Sequence, residues 1–222
     1  MAIILHIDTA VESASVCLAE DNEVKGFESN LIQKEHSSWL HPAIDRLYRS
    51  ADMKLSNTHA IAVTIGPGSY TGLRVGMAAA KGLCFSLGLP LIGINTLELM
   101  ARDLKTKNLS AEYVIPVIDA RRMEVFTAVY DHELREVRAP YALIVNEHSY
   151  DEFSGRGSVI FTGNAVGKLK QVIRHDNVLF NDGMPDARSM TGMASERFEE
   201  RAFSDVAYTE PLYVKEFYQA GH

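Results

Sequence analysis

The sequence predicts a two-lobed α/β protein in which the second lobe repeats the plan of the first. Short apolar runs of strand length alternate with longer stretches of helical spacing, as in mixed α/β folds. In addition, the opening pattern AIILHIDTAVESASVCLAED returns in the second half of the chain as VIPVIDARRMEVFTAVYD. In each copy an apolar strand ends in aspartate, a short turn follows, and a second strand also ends at an aspartate, so we expect an internal repeat.

Length and composition are those of a globular protein. The 222 residues suffice for two small lobes, and 46% of them are hydrophobic and 23% charged. The net charge of −7 argues against a surface that binds nucleic acid unaided, because phosphate binding favours a basic face. A partner protein can supply such a face, so this charge is compatible with a role in a larger complex.

Neither the cysteines nor the apolar runs suggest a secreted or membrane protein. Cys17 and Cys84 each lie in an apolar stretch and are predicted to be buried thiols rather than a disulfide or a metal pair. No apolar run approaches the roughly 20 residues of a membrane span. The apolar run at the start is too short for a signal peptide, so we expect a cytoplasmic protein with no membrane contact.

The first lobe, residues 1–104, is predicted to begin with three strands joined by tight turns. Helices are expected where apolar residues recur at helical spacing, and Gly88 and Pro90 should end the second of them. Thr96 is able to cap the third helix. The predicted strands are residues 2–8, 15–20, 24–30, 60–65 and 91–94, and the predicted helices are residues 37–51, 71–87 and 96–104.

The second lobe, residues 105–222, follows a polar boundary at 105–108 and is predicted to be a reduced copy of the first. Two strands are expected within residues 114–131, followed by a strand at 159–162, a helix at 168–174 and a strand at 178–180. Ser189 is able to cap a final helix that extends to Phe203. The tail from Tyr208 to His222 is expected to be an extended piece packed on one lobe.

Three strands followed by helix, strand, helix and strand, used twice, is the architecture of the actin-like (ASKHA, ribonuclease H-like) ATPases and sugar kinases. Those proteins bind nucleotide in the cleft between the lobes, near the first hairpins. Asp8 and Asp119 are therefore candidates to hold a magnesium nucleotide, although they also suit the ends of two hairpins. Thr9 and Ala10 stand where such proteins usually have a glycine, which weakens the ATPase hypothesis.

The strongest local motif is IGPGSYTGLRVG, residues 65–76. A strand is predicted to enter the loop and a helix to begin near Thr71, so backbone N–H groups point outward at a helix N-terminus. This sequence matches neither GxGxxG nor the P-loop, because the lysine and Ser/Thr of the latter are missing. Both a phosphate cradle and a rigid turn that fixes a packed helix fit the pattern. The loop residues are Gly66, Pro67, Gly68, Ser69, Thr71 and Gly72.

The helix after this loop is apolar almost all round, with Arg74 and Lys81 as its only charges. Such a helix is buried on more than one side. Its small residues, such as Ala78 and Gly82, permit a neighbouring helix to approach closely. The pattern alone leaves two interpretations open, namely burial in the protein's own core and contact with another subunit.

No catalytic or metal-ligating residue is expected. His36 and His41 are five residues apart, which places them on different faces of a helix, unlike the i, i+4 histidine pairs of zinc helices. Ser69 lacks the GxSxG elbow of a hydrolase nucleophile.

Several segments together carry a family resemblance. IDTA, SVCLAED, HSSWLHPAID, IAVTIGPGSYTGLRVGMAAAKGL and residues 93–98 resemble the bacterial TsaB family, also called YeaZ. These are the dimerisation subunits of the tRNA threonylcarbamoyladenosine synthesis machinery. The similarity is dense over residues 3–100 and looser beyond, where IDARRMEVFTAVYD and FTGNAV still fit.

The resemblance implies an actin-like fold without catalytic equipment. The related catalytic TsaD subunits carry a metal-binding pair of helical histidines, which His36 and His41 do not reproduce. It further implies that this chain binds TsaD and the TsaE ATPase, needs no cofactor of its own, and reaches tRNA only through a complex that uses ATP and magnesium. The complex modifies the adenosine next to the anticodon in tRNAs that read codons beginning with A.

The pairing surface of the family is similar to the helical face of the first lobe, and a homodimer is expected when the partner is absent. Ala79 and Leu83 are expected to lie on this surface as well. The residues assigned to it are Trp39, Leu40, Leu47, Tyr70, Arg74, Met77, Ala78 and Lys81. Two other hypotheses are a stand-alone actin-like ATPase or kinase that uses Asp8 and Asp119, and a peptidase, against which the missing elbow and metal cluster speak.

Overall fold

The computed structural model has the predicted α/β class and describes residues 2–107, 109 and 111–215. The chain divides into two compact units, one of residues 2–99 and 185–211 and the other of residues 100–184 and 212–215. Each unit contains one five-stranded mixed sheet. Since Asn108 and residues 216–222 lie outside the described part, the predicted lobe boundary and tail are only partly visible in it.

The first unit follows the predicted element order closely. Its sheet has the order β3-β2-β1-β4-β5, in which β1 pairs antiparallel with β2 and parallel with β4. The elements are β1 Ile3–Asp8, β2 Ala14–Glu20, β3 Glu23–Asn30, α1 His36–Ser50, β4 Ala60–Gly66, α2 Tyr70–Leu87, β5 Leu91–Asn95 and α3 Thr96–Thr106, the last of which continues into the second unit.

The second unit repeats this topology, which confirms the internal repeat. Its sheet has the order β8-β7-β6-β9-β10, with the antiparallel and parallel pairs in the same places. The helices of this unit are shorter than α1 and α2. The elements are β6 Tyr113–Asp119, β7 Glu124–Asp131, β8 Glu136–Ile144, α4 Asp151–Ser154, β9 Val159–Thr162, α5 Val166–Val172 and β10 Val178–Asn181.

Both faces of the first sheet are buried. Because side chains alternate across a strand, Leu5 and Ile7 of β1 pack toward α1 and α2, whereas Ile4 of β1 packs on the other face. Burying a side chain of this size contributes roughly 1.5–3 kcal/mol. Met190 and Met193 cover the second face, beside Cys17 of β2. Both cysteines are buried free thiols, as predicted.

The final helix differs from its prediction. A 3-10 turn at Ala187–Met190 leads into α6 Thr191–Glu199, and both belong to the first unit rather than to a lobe of residues 105–222. Asp186 caps the 3-10 turn, because its side chain accepts a hydrogen bond from Arg188 N. The N-cap of α6 itself is Met190, without a side-chain hydrogen bond, so Ser189 is not the cap that the sequence predicts. The segment of residues 185–211 packs on the first sheet because β1, β2, β4 and β5 leave an apolar face that the first 99 residues do not cover.

The cap of α3 and the strand β8 also differ from the sequence-based prediction. Asn95 caps α3 through its Oδ1, which accepts from Leu97 N and Glu98 N at 2.9 and 3.2 Å, whereas the Thr96 hydroxyl is buried without a partner in the described structure. Strand β8 was not predicted. It lies at the edge of its sheet and contains Pro140, which has no backbone N–H. An edge strand tolerates proline because one side of the strand needs no donor for a ladder hydrogen bond.

Candidate functional site

The glycine-rich loop packs directly on the turn after β1. Ser69 N donates to Ala10 O at 2.6 Å, and the Thr9 hydroxyl donates to Gly72 O at 2.7 Å. A Cβ atom on Gly68 would overlap with Ala10 O, and one on Gly72 with Thr9 O. The glycines are therefore required by the close approach of two backbones, which is the rigid-turn interpretation of the motif.

The loop also starts α2. Ser69 is its N-cap, and its hydroxyl accepts from Gly72 N at 3.3 Å. Gly76, one turn further along, faces the Thr9 side chain in the same packed contact. Gly66 has a φ of 110°, a backbone conformation that favours glycine. Since the first turn of α2 is already joined to the β1–β2 turn, the phosphate-cradle interpretation gains no support from this geometry.

Asp8, at the end of β1, is buried beneath this contact. Its Oδ1 accepts from the Thr64 hydroxyl at 2.9 Å and from Ala10 N at 3.1 Å. Burial raises the pKa of Asp8 to about 6, against the smaller lowering effect of these hydrogen bonds. The carboxyl group thus joins the β1–β2 turn at Ala10 to Thr64 of β4, which fits the hairpin-end interpretation of this residue.

Asp119 occupies the equivalent position in the second unit but has different surroundings. It is exposed, and its Oδ1 lies 2.7 Å from Lys168 Nζ and accepts from Arg121 N at 2.6 Å. Asn164 Oδ1 accepts from the backbone N of Asp119 at 2.8 Å. Both aspartates are thus engaged locally, each within its own unit.

The helical face of the first unit contains a groove of about 490 Å³ between α1 and α2. Its lining is mostly apolar, with a few hydroxyls at the edges. Beside it, an exposed stripe of α2 comprises Arg74, Ala78, Gly82 and Phe85, which lie three or four residues apart and therefore on one side of the helix. The groove residues are Ser37, Leu40, His41, Val75, Ala78, Ala79, Gly82, Leu83 and Ser86.

The structure places five of the eight predicted surface residues at least partly in solvent. Trp39, Tyr70 and Lys81 are partly exposed, and Arg74 and Ala78 are exposed. The Arg74 guanidinium stacks over the Tyr70 ring, 4.1 Å from its centroid, in a cation–π contact.

The other three residues correct the prediction. Leu47 and Met77 are buried in the core beneath the helices, because they occupy the inward side of the helical spacing that predicts α1 and α2. Leu40 is also buried, although it contributes to the lining of the groove. Ala79 lines the groove but is 6% exposed and packed in the core cluster, so a charge there would disrupt the core as well as the groove and is no clean test of an interface. Leu83 is partly exposed and remains on the helical face.

His36 and His41 do not form a metal pair. His36 is buried, with its Nε2 3.2 Å from Glu12 O, whereas His41 is exposed and lines the groove. Within the part of the chain that the structure describes, no three His, Cys, Asp or Glu side chains form a group able to hold a metal ion.

Sequence comparison places the chain among known proteins. The family model "TsaD: tRNA N6-adenosine threonylcarbamoyltransferase" matches residues 14–209. The "tRNA threonylcarbamoyladenosine biosynthesis protein TsaB" of Escherichia coli K12 is 32% identical over 96% of this chain and 94% of its own length. The chain belongs to the TsaB family. The resemblance inferred from the motifs is thereby confirmed.

Solved structures show the fold of this TsaB family member. A Pseudomonas aeruginosa protein, described as similar to the peptidase YeaZ, superposes with a TM-score of 0.85 at 24% identity, over 97% of this chain and 100% of that one. The ROK hexokinase of Thermus thermophilus superposes with a TM-score of 0.51 at 10% identity, over 90% and 99% of the two chains. These neighbours support the predicted two-lobed actin-like fold.

Sequence reasoning missed two exposed aromatic side chains of the TsaB family member. Phe85 of α2 is 87% exposed, although it is one of the residues that make this helix apolar. Tyr208 is 84% exposed in a turn that packs beside α2. Helical spacing was the available signal for Phe85, since it falls on the same stripe as Ala78.

Among the described residues, none of the helices combines the length and apolarity of a membrane span.

Proposed function

We propose that this protein is a non-catalytic subunit in tRNA threonylcarbamoyladenosine biosynthesis, and that it binds a TsaD-type transferase through the α1–α2 face. The observation that carries the proposal is the exposed stripe of α2 beside an apolar groove. Small side chains at its centre, Ala78 and Gly82, permit close helix packing, and Phe85 supplies an aromatic contact. Membership of the TsaB family supports the pathway.

The absence of catalysis by this chain is part of the proposal. The match to the transferase family model covers most of the chain, so shared ancestry with an enzyme is evident. However, Asp8 is buried under the glycine-rich loop and Asp119 is paired with Lys168, which gives the stand-alone ATPase hypothesis no accessible pair of carboxylates. We propose that the chain needs no cofactor, and that ATP and magnesium are used by the other subunits.

The proposal extends to the other partners. We place the TsaE ATPase in the same complex and expect tRNA to bind only when the subunits are assembled, because the net charge of −7 disfavours a contact by this chain alone. The modified position would be the adenosine next to the anticodon in tRNAs that read codons beginning with A, and the site of action the cytoplasm. In the absence of the transferase, the same helical face would pair with a second copy.

Replacement of Ala78 by glutamate tests the face. The residue is exposed and glutamate favours helix, so α2 should fold normally, whereas a charge buried in an interface should weaken transferase binding at least ~100-fold. Isothermal titration against the TsaD-type protein of the same organism measures this. The matched control is Gln171→Glu, which adds the same charge to an exposed position of α5.

Two outcomes would overturn the proposal. Wild-type affinity in Ala78→Glu would move the contact elsewhere, and ATP hydrolysis by the purified chain that is lost in Asp8→Ala would favour an enzyme.

Removal of Trp39 should also weaken association, since tryptophan often anchors interfaces. That variant is a less clean test, because the indole packs against the core as well.

A further inference from the structure

The turn at residues 205–209 is fixed to α2 by its backbone. Asp205 Oδ1 accepts from Ala207 N at 2.7 Å and from Tyr208 N at 3.0 Å, and Thr209 N donates to Asp205 O at 2.9 Å. From α2, Lys81 Nζ donates to Ala207 O at 3.0 Å and to Thr209 O at 3.1 Å. One ammonium group thus binds the carbonyls on both sides of a single residue.

That residue is Tyr208. Hydrogen bonds fix the backbone around it, whereas its side chain projects into solvent and is 84% exposed. An exposed aromatic side chain on a loose loop would lose much of its freedom on binding a partner. Here the hydrogen bonds to Lys81 and Asp205 have already restricted the chain, so less freedom remains to be lost. A tyrosine in this state has the properties of a preformed interface anchor, since its ring combines a large apolar area with a polar tip.

The position of Lys81 on α2 shows which surface the turn extends. Successive helical residues are about 100° apart, so Lys81 points roughly opposite to Ala79 and Leu83, which line the groove toward α1. The exposed stripe through Ala78 lies between these two directions. It is therefore flanked by α1 on one side and by the Tyr208 turn on the other.

We infer that Tyr208 is an anchor of the surface that docks the TsaD-type transferase, and that Lys81 is a positioning residue that acts through it. The inference rests on the proposed function and adds a third element to the α1–α2 face. It also changes the role of Lys81, for which the family resemblance predicts a place on the partner-binding surface. Its amine is instead occupied by two carbonyl groups of its own chain.

The first experiment compares Tyr208→Ala with Tyr208→Phe in titrations against the transferase. We expect the alanine variant to bind roughly tenfold more weakly or worse, and the phenylalanine variant to stay within about threefold of wild type, because the ring supplies most of the contact area. Ile144→Ala removes another exposed apolar side chain, at the end of β8 in the second unit, and should leave binding unchanged.

The second experiment is a double-mutant cycle with Lys81→Met, which keeps the aliphatic stem and removes the donor. Lys81→Met should weaken transferase binding several-fold in the wild type but add little in the Tyr208→Ala background, because Lys81 acts through the tyrosine. The amides of residues 207–209 should also exchange faster with solvent in the free variant. Additive losses of affinity, or unchanged exchange, would contradict the positioning role.

The outcomes separate this inference from the function on which it rests. If Ala78→Glu abolishes binding and Tyr208→Ala leaves it intact, the helical face stands and the anchor is wrong. If Tyr208→Ala weakens only self-association, measured by sedimentation, the partner at this turn is a second copy and the inference is overturned. Wild-type binding in Ala78→Glu would remove the proposed function itself.

Discussion

Two buried ionisable side chains stand two residues apart on β1, and their effects on stability run in opposite directions. Burial lowers the pKa of His6 to about 4 and raises that of Asp8 to about 6. The histidine stabilises the fold above its unfolded pKa of about 6.5, and this stability is lost as the pH falls toward 4. The aspartate favours folding in its protonated form, so its contribution is lost as the pH rises from about 4 to 6. Each contribution is on the order of 3 kcal/mol, and between pH 4 and 6 they largely cancel.

Replacement of Asp8 by asparagine should therefore leave the pH dependence of stability that comes from His6 without the opposing contribution of Asp8. The amide keeps an oxygen for Thr64 and Ala10 N but never carries a charge. We expect the free energy of unfolding to rise relative to wild type, by up to ~3 kcal/mol above pH 6, with the difference vanishing near pH 4. Urea denaturation between pH 4 and 8 measures the difference. A difference that does not vary with pH would show that the Asp8 carboxyl titrates normally.

The β6–β7 turn contains backbone strain. Arg121 and Arg122 have φ values of 72° and 48°, a left-handed conformation that costs an L-residue with a side chain about 1–2 kcal/mol. Arg121→Asn combined with Arg122→Gly should raise the free energy of unfolding by about 1–2 kcal/mol, because both new residues accept this conformation. Chemical denaturation measures this gain in the free energy of unfolding. Lysine at both positions is the control, since it keeps the charge and the strain; an equal gain in that variant would refute the explanation.

At the scale of the element, two glycines of α2 have opposite surroundings. Gly82 is exposed, and a Cβ atom added to it would have no neighbour within 4 Å, whereas one added to Gly76 would meet the Thr9 hydroxyl. Gly82→Ala should stabilise the isolated protein by up to about 1 kcal/mol through helix propensity. Gly76→Ala should destabilise it by about 1–3 kcal/mol through overpacking. Thermal unfolding of the pair measures both, and a shift of the same sign in each would contradict the close contact at Thr9.

Most elements were predictable because their signals are local. The bounds of α1, α2, β4 and β5 agree with the sequence to within one residue, since apolar spacing, Gly88 and Pro90 mark them clearly. Strand β8 has no such local signal, because an exposed edge strand lacks the alternation of apolar and polar residues that is typical of a half-buried strand. The glycine-rich loop was recognised, but its contact with Ala10 was not, as long-range packing leaves no trace in spacing.

At the scale of the molecule, the first unit is discontinuous in sequence. Residues 185–211 supply Met190 and Met193 to one face of its sheet, beside Ile4 and Ile92. A chain that stops after Met184 should therefore expose this apolar face and fail to fold cooperatively, in contrast to the chain of 222 residues. Circular dichroism with thermal unfolding and a solubility assay would test this. A truncated chain as stable as the full one would show that the segment is dispensable.

The same arrangement explains why domain assignment from sequence was only partly right. A repeat suggests one boundary near the middle, and the observed division after residue 99 lies five residues from the predicted one at 104. The return of the chain depends on which apolar face remains uncovered, a property of the assembled sheet. The predicted partner surface includes buried as well as exposed residues for a similar reason. Leu40 and Met77 lie on the same helices as exposed neighbours but are buried in the core.

The discontinuity also sets an order of events during translation. The ribosome must synthesise the whole second sheet before it reaches Met190, so the amino-terminal sheet emerges first and is completed last. At roughly 5–20 residues per second, its uncovered face waits on the order of ten seconds after β5 has left the exit tunnel. During that interval the nascent chain offers an apolar surface to chaperones, and synonymous codons between the two segments would tune how long it does so.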